Sequence, residues 1–226
     1  KSKISIWNLY INLFMIKTVI FDLDGTLLNT LEDLKEAANF ALSEFGYPKR
    51  SLEEIRCFVG NGVRKLIERA VPEACENIDE CLCVFKKNYS ENMCNNTVPY
   101  NGILKILKDL QDNGVKIGVV SNKFDSAVKE LCKKYFGNLV DIAVGQSDDV
   151  PKKPAPEGVF KVMKELGAEK ISTVYIGDSE VDVQTAKNSG LPCIGVTWGF
   201  RNKNDLQGAD YIIDNPCDII SVIRSM

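Results

Sequence analysis

Six short runs of β-branched and other apolar residues, none alternating with polar ones, constrain the fold of this 226-residue chain more than any other feature. Thr18-Val19-Ile20-Phe21 is the first, and similar runs recur at 115–120, 140–144, 173–176, 193–196 and 211–213. A strand wet on one face alternates apolar and polar residues, whereas a run without alternation belongs to a strand covered on both faces, as in a parallel sheet. Between the later runs lie helical segments at 101–113, 125–136, 156–166 and 180–189, stopping at Gly114, Gly137, Gly167 and Gly190. Glycine is the usual left-handed residue just past a helix end. Strands alternating with helices of this length predict a doubly wound parallel α/β sheet, a Rossmann-like core.

The stretch 30–101 breaks the alternation and reads as four helices. Thr30-Leu31-Glu32-Asp33 opens a helix whose Leu31, Leu34, Ala38, Leu42 and Phe45 share one face, and Gly46 with Pro48 ends it. Ser51-Leu52-Glu53-Glu54 is a capping box opening the second, a third follows Gly60-Asn61-Gly62, and 78–93 is the fourth. An all-helical insertion between the first two strands of a sheet is a lid tethered at two crossings. The expected organisation is therefore an α/β core at 15–29 and 102–226, a helical cap at 30–101, and hinges at 29–30 and 100–102. In residues 1–14, Lys1 and Lys3 precede an apolar run interrupted by Trp7, Asn8 and Asn12, with no small-residue cleavage site. That segment is expected to be an extension outside a working protein that starts at Met15.

Histidine is absent, so polar chemistry must run on carboxylates, lysine, serine or thiols. A net charge of −3 with 28 scattered basic residues argues against nucleic acid as a partner. No apolar stretch reaches the roughly 20 residues of a membrane span. Of eight cysteines, Cys57, Cys75, Cys81, Cys83 and Cys94 fall in the helical stretch and are expected to be reduced, mostly buried thiols of a cytoplasmic protein. Cys81-Leu82-Cys83 lacks the second pair that a zinc site needs.

The sharpest chemical signal is Phe21-Asp22-Leu23-Asp24-Gly25-Thr26-Leu27, two carboxylates at i and i+2 where a buried strand gives out. Two like charges so close repel unless a cation sits between them or one carries a proton. The pair therefore suggests either a metal site or a division of labour between acid and nucleophile; a bare Asp-x-Asp is otherwise a solvated turn. Two further strands end in polar residues, Ser121-Asn122-Lys123 and Gly177-Asp178-Ser179-Glu180-Val181-Asp182. Ligands of open parallel sheets bind outside the carboxyl ends of the strands, where Asp22, Asp24, Ser121, Asn122 and Asp178 can converge. Lys153, just before Pro154-Ala155-Pro156, is expected to be the only cation facing this cluster and thus a phosphate partner.

With these segments in order, the sequence resembles the haloacid dehalogenase superfamily of phosphotransferases from residue 15 to residue 226. Asp22-Leu23-Asp24-Gly25-Thr26 is similar to its first motif, Ser121 to its second, Lys153 to its third and Gly177 to Asp182 to its fourth. The resemblance implies that Asp22 is a nucleophile forming an aspartyl-phosphate and that Asp24 protonates the leaving oxygen and then activates water. It also implies Mg²⁺ held by Asp22, the Asp24 carbonyl and Asp178, with Asp182 supporting the metal site and Ser121, Asn122 and Lys153 holding the phosphoryl group. Oxygen ligands without histidine agree with Mg²⁺ rather than zinc. True dehalogenases of this fold do not keep the second acid of the pair, so Asp24 disfavours dehalogenation.

The insertion occupies the cap position of the phosphoglycolate phosphatase and β-phosphoglucomutase group. Phe58-Val59-Gly60-Asn61-Gly62-Val63-Arg64-Lys65-Leu66 resembles the cap loop of phosphoglycolate phosphatases, and Val196-Thr197-Trp198-Gly199-Phe200-Arg201 also resembles that subgroup. The Gly-rich turn Gly60-Asn61-Gly62 feeding a helix N-terminus, with Arg64 and Lys65 close behind, is a seat for a small anion such as a carboxylate; otherwise it is a plain helix–helix turn. The expectation is a Mg²⁺-dependent phosphatase of a small phosphorylated metabolite, foremost 2-phosphoglycolate, working as a monomer or homodimer. The rivals are a nucleotidase, pyrophosphatase or sugar phosphomutase of the same cap group, and a non-catalytic phosphate-binding module.

Overall fold

The structure, a computed structural model, describes residues 15–226 apart from residue 74. The expectation for residues 1–14 lies outside the described residues. The chain enters at β1 (Thr18–Phe21), crosses at β2 (Leu28–Asn29) into α1 (Leu31–Glu44), α2 (Leu52–Phe58), α3 (Val63–Ala70) and α4 (Ile78–Asn92), and returns at β3 (Val98–Pro99). The core continues through α5 (Ile103–Asp112), β4 (Lys116–Phe124), α6 (Asp125–Phe136), β5 (Ile142–Gln146), α7 (Glu157–Leu166) and β6 (Thr173–Gly177). It ends with α8 (Glu180–Ser189), β7 (Cys193–Val196), β8 (Tyr211–Ile213) and α9 (Asp218–Ser225).

Six strands form one parallel sheet in the order β5-β4-β1-β6-β7-β8. The unalternating runs are explained by burial on both faces. Val19 and Phe21 face the layer built by Leu107 and Leu110 of α5, Val128 and Leu131 of α6 and Ile219 and Ile223 of α9. Ile20 faces the opposite layer, with Val159 and Val162 of α7 and Ala186 of α8. Because β1 is flanked by β4 on one side and β6 on the other, the chain order reverses at β1, and the carboxyl ends of these three strands border the crevice where such sheets bind ligands.

Three local features differ from the sequence reading. β4 runs on through Ser121, Asn122 and Lys123 to Phe124, and its register against β5 slips between Val120 and Phe124, so these polar residues belong to an irregular strand end. Gly167 and Gly190 are left-handed helix ends, whereas Gly137 (φ 55°, ψ −121°) leads straight into a tight turn at Gly137–Leu139. β2 and β3, too short to show periodicity, pair antiparallel where the chain enters and leaves the helical insertion. Buried Asp33 on α1 secures the return crossing: its carboxylate accepts from Asn96 N (2.9 Å), Thr97 N (2.9 Å) and Thr97 Oγ1 (2.7 Å).

The cysteines also depart from expectation. All eight are free thiols, but only Cys81, Cys132 and Cys193 are buried; Cys57, Cys83 and Cys217 are exposed, and Cys75 and Cys94 are intermediate and lie outside the helices.

Candidate active site

The Asp22 carboxylate projects just past β1, and its backbone N–H still bonds to Ile176 O of β6 at 2.9 Å, which anchors it between two sheet strands. The chain then folds back at Gly25, where φ is +92° and an added Cβ would lie 2.3 Å from Asp178 Oδ2. A Cβ at Gly199 would meet the same oxygen at 2.3 Å, so two bare glycines let the loops after β1 and β7 close on Asp178. Asp178 Oδ2 in turn accepts from Phe200 N at 2.6 Å, and Trp198 Nε1 donates to Thr26 O at 3.0 Å.

Lys153 reaches this point from the loop before α7. Its Nζ lies 2.6 Å from Asp22 Oδ1 and 2.7 Å from Asp182 Oδ1, and all three side chains are nearly sealed from solvent. Asp182 is saturated: Tyr175 Oη also donates to Oδ1 (2.9 Å), while Ser179 N (3.1 Å) and Ser179 Oγ (2.5 Å) donate to Oδ2. Asp182 therefore fixes Lys153 and closes the N-terminal capping box of α8. Burial alone would lower the Lys153 ammonium, but Asp182 and Asp22 outweigh it and hold its pKa above the ordinary range.

Carboxylate oxygens of Asp22, Asp178 and Asp182 lie within 4.8 Å of one another. Burial, only partly offset by Lys153, pushes the Asp22 pKa upward. Burial, reinforced by Asp182, pushes Asp178 up to about 7. Three carboxylates facing one ammonium leave an excess of buried negative charge, which a dication would relieve. An all-oxygen donor set fits a hard cation of the Mg²⁺ kind, with Asp22 and Asp178 the carboxylates free to hold it.

Lys153 is not the only cation here, and this corrects the sequence reading. Lys123, 3% exposed, places Nζ 3.1 Å from Asp24 Oδ1 and 2.8 Å from Tyr89 Oη of α4. Thr30 Oγ1, at the head of α1, donates to the same Asp24 oxygen at 2.6 Å. The signal was available: Lys123 directly follows Ser121-Asn122, but a lysine after a strand reads as a solvated end unless the strand is known to continue. Arg201, after β7, is the third basic residue lining the cleft.

The cleft runs between this rim and the helical insertion, whose wall is Leu34, Val59, Gly60, Gly62, Val63 and Leu66. Ser121 and Asn122 line it from the core, yet the Asn122 amide is spent on backbone: Nδ2 donates to Gly60 O (3.0 Å) and Lys153 O (3.2 Å), and Oδ1 accepts from Lys153 N (2.7 Å). Arg201 grips the neighbouring carbonyls, Val59 O at 2.6 Å and Arg56 O at 2.9 Å. Arg64 and Asn61, expected at the substrate, stand outside the cleft. Arg64 pairs with Glu68 one helical turn on (3.0 Å) and with Asp79 of α4 (2.5 Å), and Asn61 Oδ1 accepts from Arg69 (2.9 Å). Intrahelical and interhelical carboxylates thus claim Arg64, and the cap loop is held by Arg69 from α3 on one side and by Arg201 from the core on the other.

Residues 19–196 match the family model described as haloacid dehalogenase-like hydrolase. The chain belongs to the haloacid dehalogenase-like hydrolase family. The motif resemblance is thereby borne out, as is the α/β core. This hydrolase is 33% identical over 218 residues to a phosphoglycolate phosphatase of Pseudomonas syringae pv. tomato, covering 93% of this chain and 78% of that protein. It is 32% identical to a phosphoglycolate phosphatase of Aquifex aeolicus over 92% of this chain and 96% of that one. A solved structure from Lactobacillus delbrueckii subsp. bulgaricus, assigned as a phosphoglycolate phosphatase, superimposes with a TM-score of 0.87 at 36% identity, covering 92% of this chain and 98% of the other. Among the described residues, no helix is long and apolar enough to cross a membrane.

Proposed function

We propose that this hydrolase is a Mg²⁺-dependent phosphatase of a small phosphomonoester, 2-phosphoglycolate first among candidates, working through an aspartyl-phosphate on Asp22. The observation that carries the reading is the meeting of Lys153 Nζ and Asp22 Oδ1 at 2.6 Å beside Asp178, a nucleophile, a cation and a metal-binding acid drawn from three distant segments.

Asp22 attacks phosphorus while Lys153 and the Ser121 hydroxyl hold the non-bridging oxygens against the growing charge. Asp24 delivers its proton to the departing alkoxide, then takes a proton from the water that hydrolyses the acyl phosphate and returns Asp22 to carboxylate. Mg²⁺, when bound by Asp22, Asp178 and the Asp24 carbonyl, supplies the positive charge that lets an anionic carboxylate approach an anionic ester. The apolar wall of Val59, Val63 and Leu66 keeps bulk water out and favours a small substrate, while Arg201 supplies positive charge for a second anionic group. Eight free thiols fit a reducing compartment such as the cytoplasm.

The test is phosphate release from a panel of small phosphorylated metabolites, with Asp22→Asn as the blank and EDTA as the metal control. Release of phosphate from 2-phosphoglycolate above other esters is the expected result. Interconversion of sugar phosphates without net phosphate release would replace hydrolysis by isomerisation, and an inactive wild type across the panel would overturn the reading.

A further inference from the structure

The loop that follows β7 begins where the family match ends, at residue 196, yet it closes on both segments that carry the acids able to hold a dication. Its base is anchored on the β8 side, with Thr197 N donating to Ile213 O at 3.1 Å and Thr197 Oγ1 to Asp214 Oδ1 at 2.7 Å. At its far end Arg201 Nε donates to Glu180 Oε2 of α8 at 3.3 Å. Between these anchors the loop makes two polar contacts inward. Trp198 Nε1 donates to Thr26 O at 3.0 Å, in the turn that carries Asp22 and Asp24, and Phe200 N donates to Asp178 Oδ2 at 2.6 Å. Gly199 fills the space between them, since a Cβ there would lie 2.3 Å from Asp178 Oδ2 and 2.4 Å from Gly25 O. A carboxylate held at one oxygen presents the other in a fixed direction. For Asp178 that other oxygen is Oδ1, which accepts only a long contact from Thr26 Oγ1, at 3.4 Å, among the described residues.

We propose that residues 198–200 clamp the divalent-cation site, with Trp198 as its positioning residue: the indole N–H holds the turn after β1 against Asp178, and the Phe200 N–H sets which Asp178 oxygen is left for the cation. Asp22 and Asp178 leave neighbouring strands on separate loops, and their like charges favour separation until a cation is bound. A hydrogen bond from a third loop keeps the two together beforehand, so the cation meets an assembled site and binds more tightly. The inference rests on the metal-dependent reading above.

Calorimetric titration with Mg²⁺ alone reads the clamp, and thermal unfolding in EDTA reads the fold. Losing a hydrogen-bond partner that supports a metal site costs about 10–100-fold in affinity. Trp198→Phe keeps an aromatic ring, removes the N–H, and is expected to raise the Mg²⁺ Kd about 10-fold. Trp198→His can turn a ring N–H to where the indole nitrogen stands, and its Kd is expected to fall between those of wild type and Trp198→Phe. An unchanged Kd in Trp198→Phe, with or without a lower Tm in EDTA, would assign the tryptophan to packing and overturn the inference. A Trp198→His variant no better than Trp198→Phe would overturn it too. If the Trp198 variants do not fold, Gly199→Ala decides: the methyl group has no room beside Asp178 and Gly25, so the clamp must lift and the Kd must rise, and an unchanged Kd would overturn the inference. A wild type that binds no Mg²⁺ sinks the metal-dependent reading and this inference together. One that binds Mg²⁺ and responds as expected to the substitutions, but hydrolyses no phosphomonoester, upholds the clamp and sinks the phosphatase reading alone.

Discussion

Asn122 of β4 and Gly60 of the helical insertion are joined across the cleft, Asn122 Nδ2 donating to Gly60 O at 3.0 Å. The same amide brackets the Lys153 backbone, accepting from its N–H at 2.7 Å and donating to its carbonyl at 3.2 Å. One side chain thus ties the cap loop to the loop that aims Lys153 at Asp22.

Asn122→Ala cuts all three contacts and leaves the Lys153 N–H without its acceptor. A loss of about 1–3 kcal/mol of stability, read from urea unfolding, is expected for a buried group left unpaired. The KM for a phosphomonoester should rise about 10-fold, because the backbone that carries Lys153 loses the amide that brackets it. Unchanged KM with lowered stability would confine Asn122 to the fold.

Arg64 and Arg201 should behave oppositely. Arg64 is engaged by Glu68 and Asp79 outside the cleft, so Arg64→Ala is expected to leave KM within about twofold of wild type. Arg201→Ala removes the donors to Val59 O and Arg56 O and should raise KM about 5–10-fold, the worth of one or two hydrogen bonds. Steady-state kinetics on 2-phosphoglycolate compares them directly; the reverse ranking would return Arg64 to the substrate.

Magnesium should stabilise the folded protein because the unfolded chain cannot assemble Asp22 and Asp178. At one hundred times its Kd, a ligand adds about 2.7 kcal/mol. Thermal unfolding with excess EDTA and then with saturating Mg²⁺ should therefore show an upward shift in Tm, and Asp178→Asn should lose most of it. An equal shift in the variant would place the ion elsewhere.

Thiol labelling at pH 8 should divide the cysteines by burial. Exposed Cys57, Cys83 and Cys217 should react quickly with a disulfide reagent. Burial pushes the Cys81 thiol up to about 11 and the Cys132 thiol up to about 12, and it raises Cys193 as well. A higher pKa means less thiolate at a given pH, so these three should label only on unfolding. Mass mapping of labelled peptides checks the pattern, and fast modification of Cys132 in the native protein would contradict the packing of α6.

Much of the architecture was readable because burial on both faces of a parallel strand writes itself into the chain as an unbroken apolar run. β7 at Cys193–Val196 and β8 at Tyr211–Ile213 coincide with the runs read from the sequence, as do α6 at Asp125–Phe136 and α8 at Glu180–Ser189. Asp22, Asp24, Ser121 and Asp178 were legible for a related reason, whereas Lys153, in the loop before α7, was singled out only as a cation for the acids they provide. Polar residues at the ends of buried strands have few roles apart from chemistry, and here they line one cleft.

What the sequence by itself determined is the layer architecture, the helical insertion and the identity of the rim residues, since these follow from local periodicity, caps and strand ends. Only the tertiary structure decided where each long charged side chain goes. Lys123 turns inward because Asp24 and Tyr89 compensate its burial; Arg64 turns away because Glu68 and Asp79 claim it; Arg201 crosses from the core to hold the cap loop. The partner of a lysine or arginine lies several ångströms from its backbone and often more than a hundred residues away. Apart from the i,i+4 pair of Arg64 with Glu68, no local pattern encodes that choice, which is made by the competition among carboxylates and carbonyls that folding brings within reach.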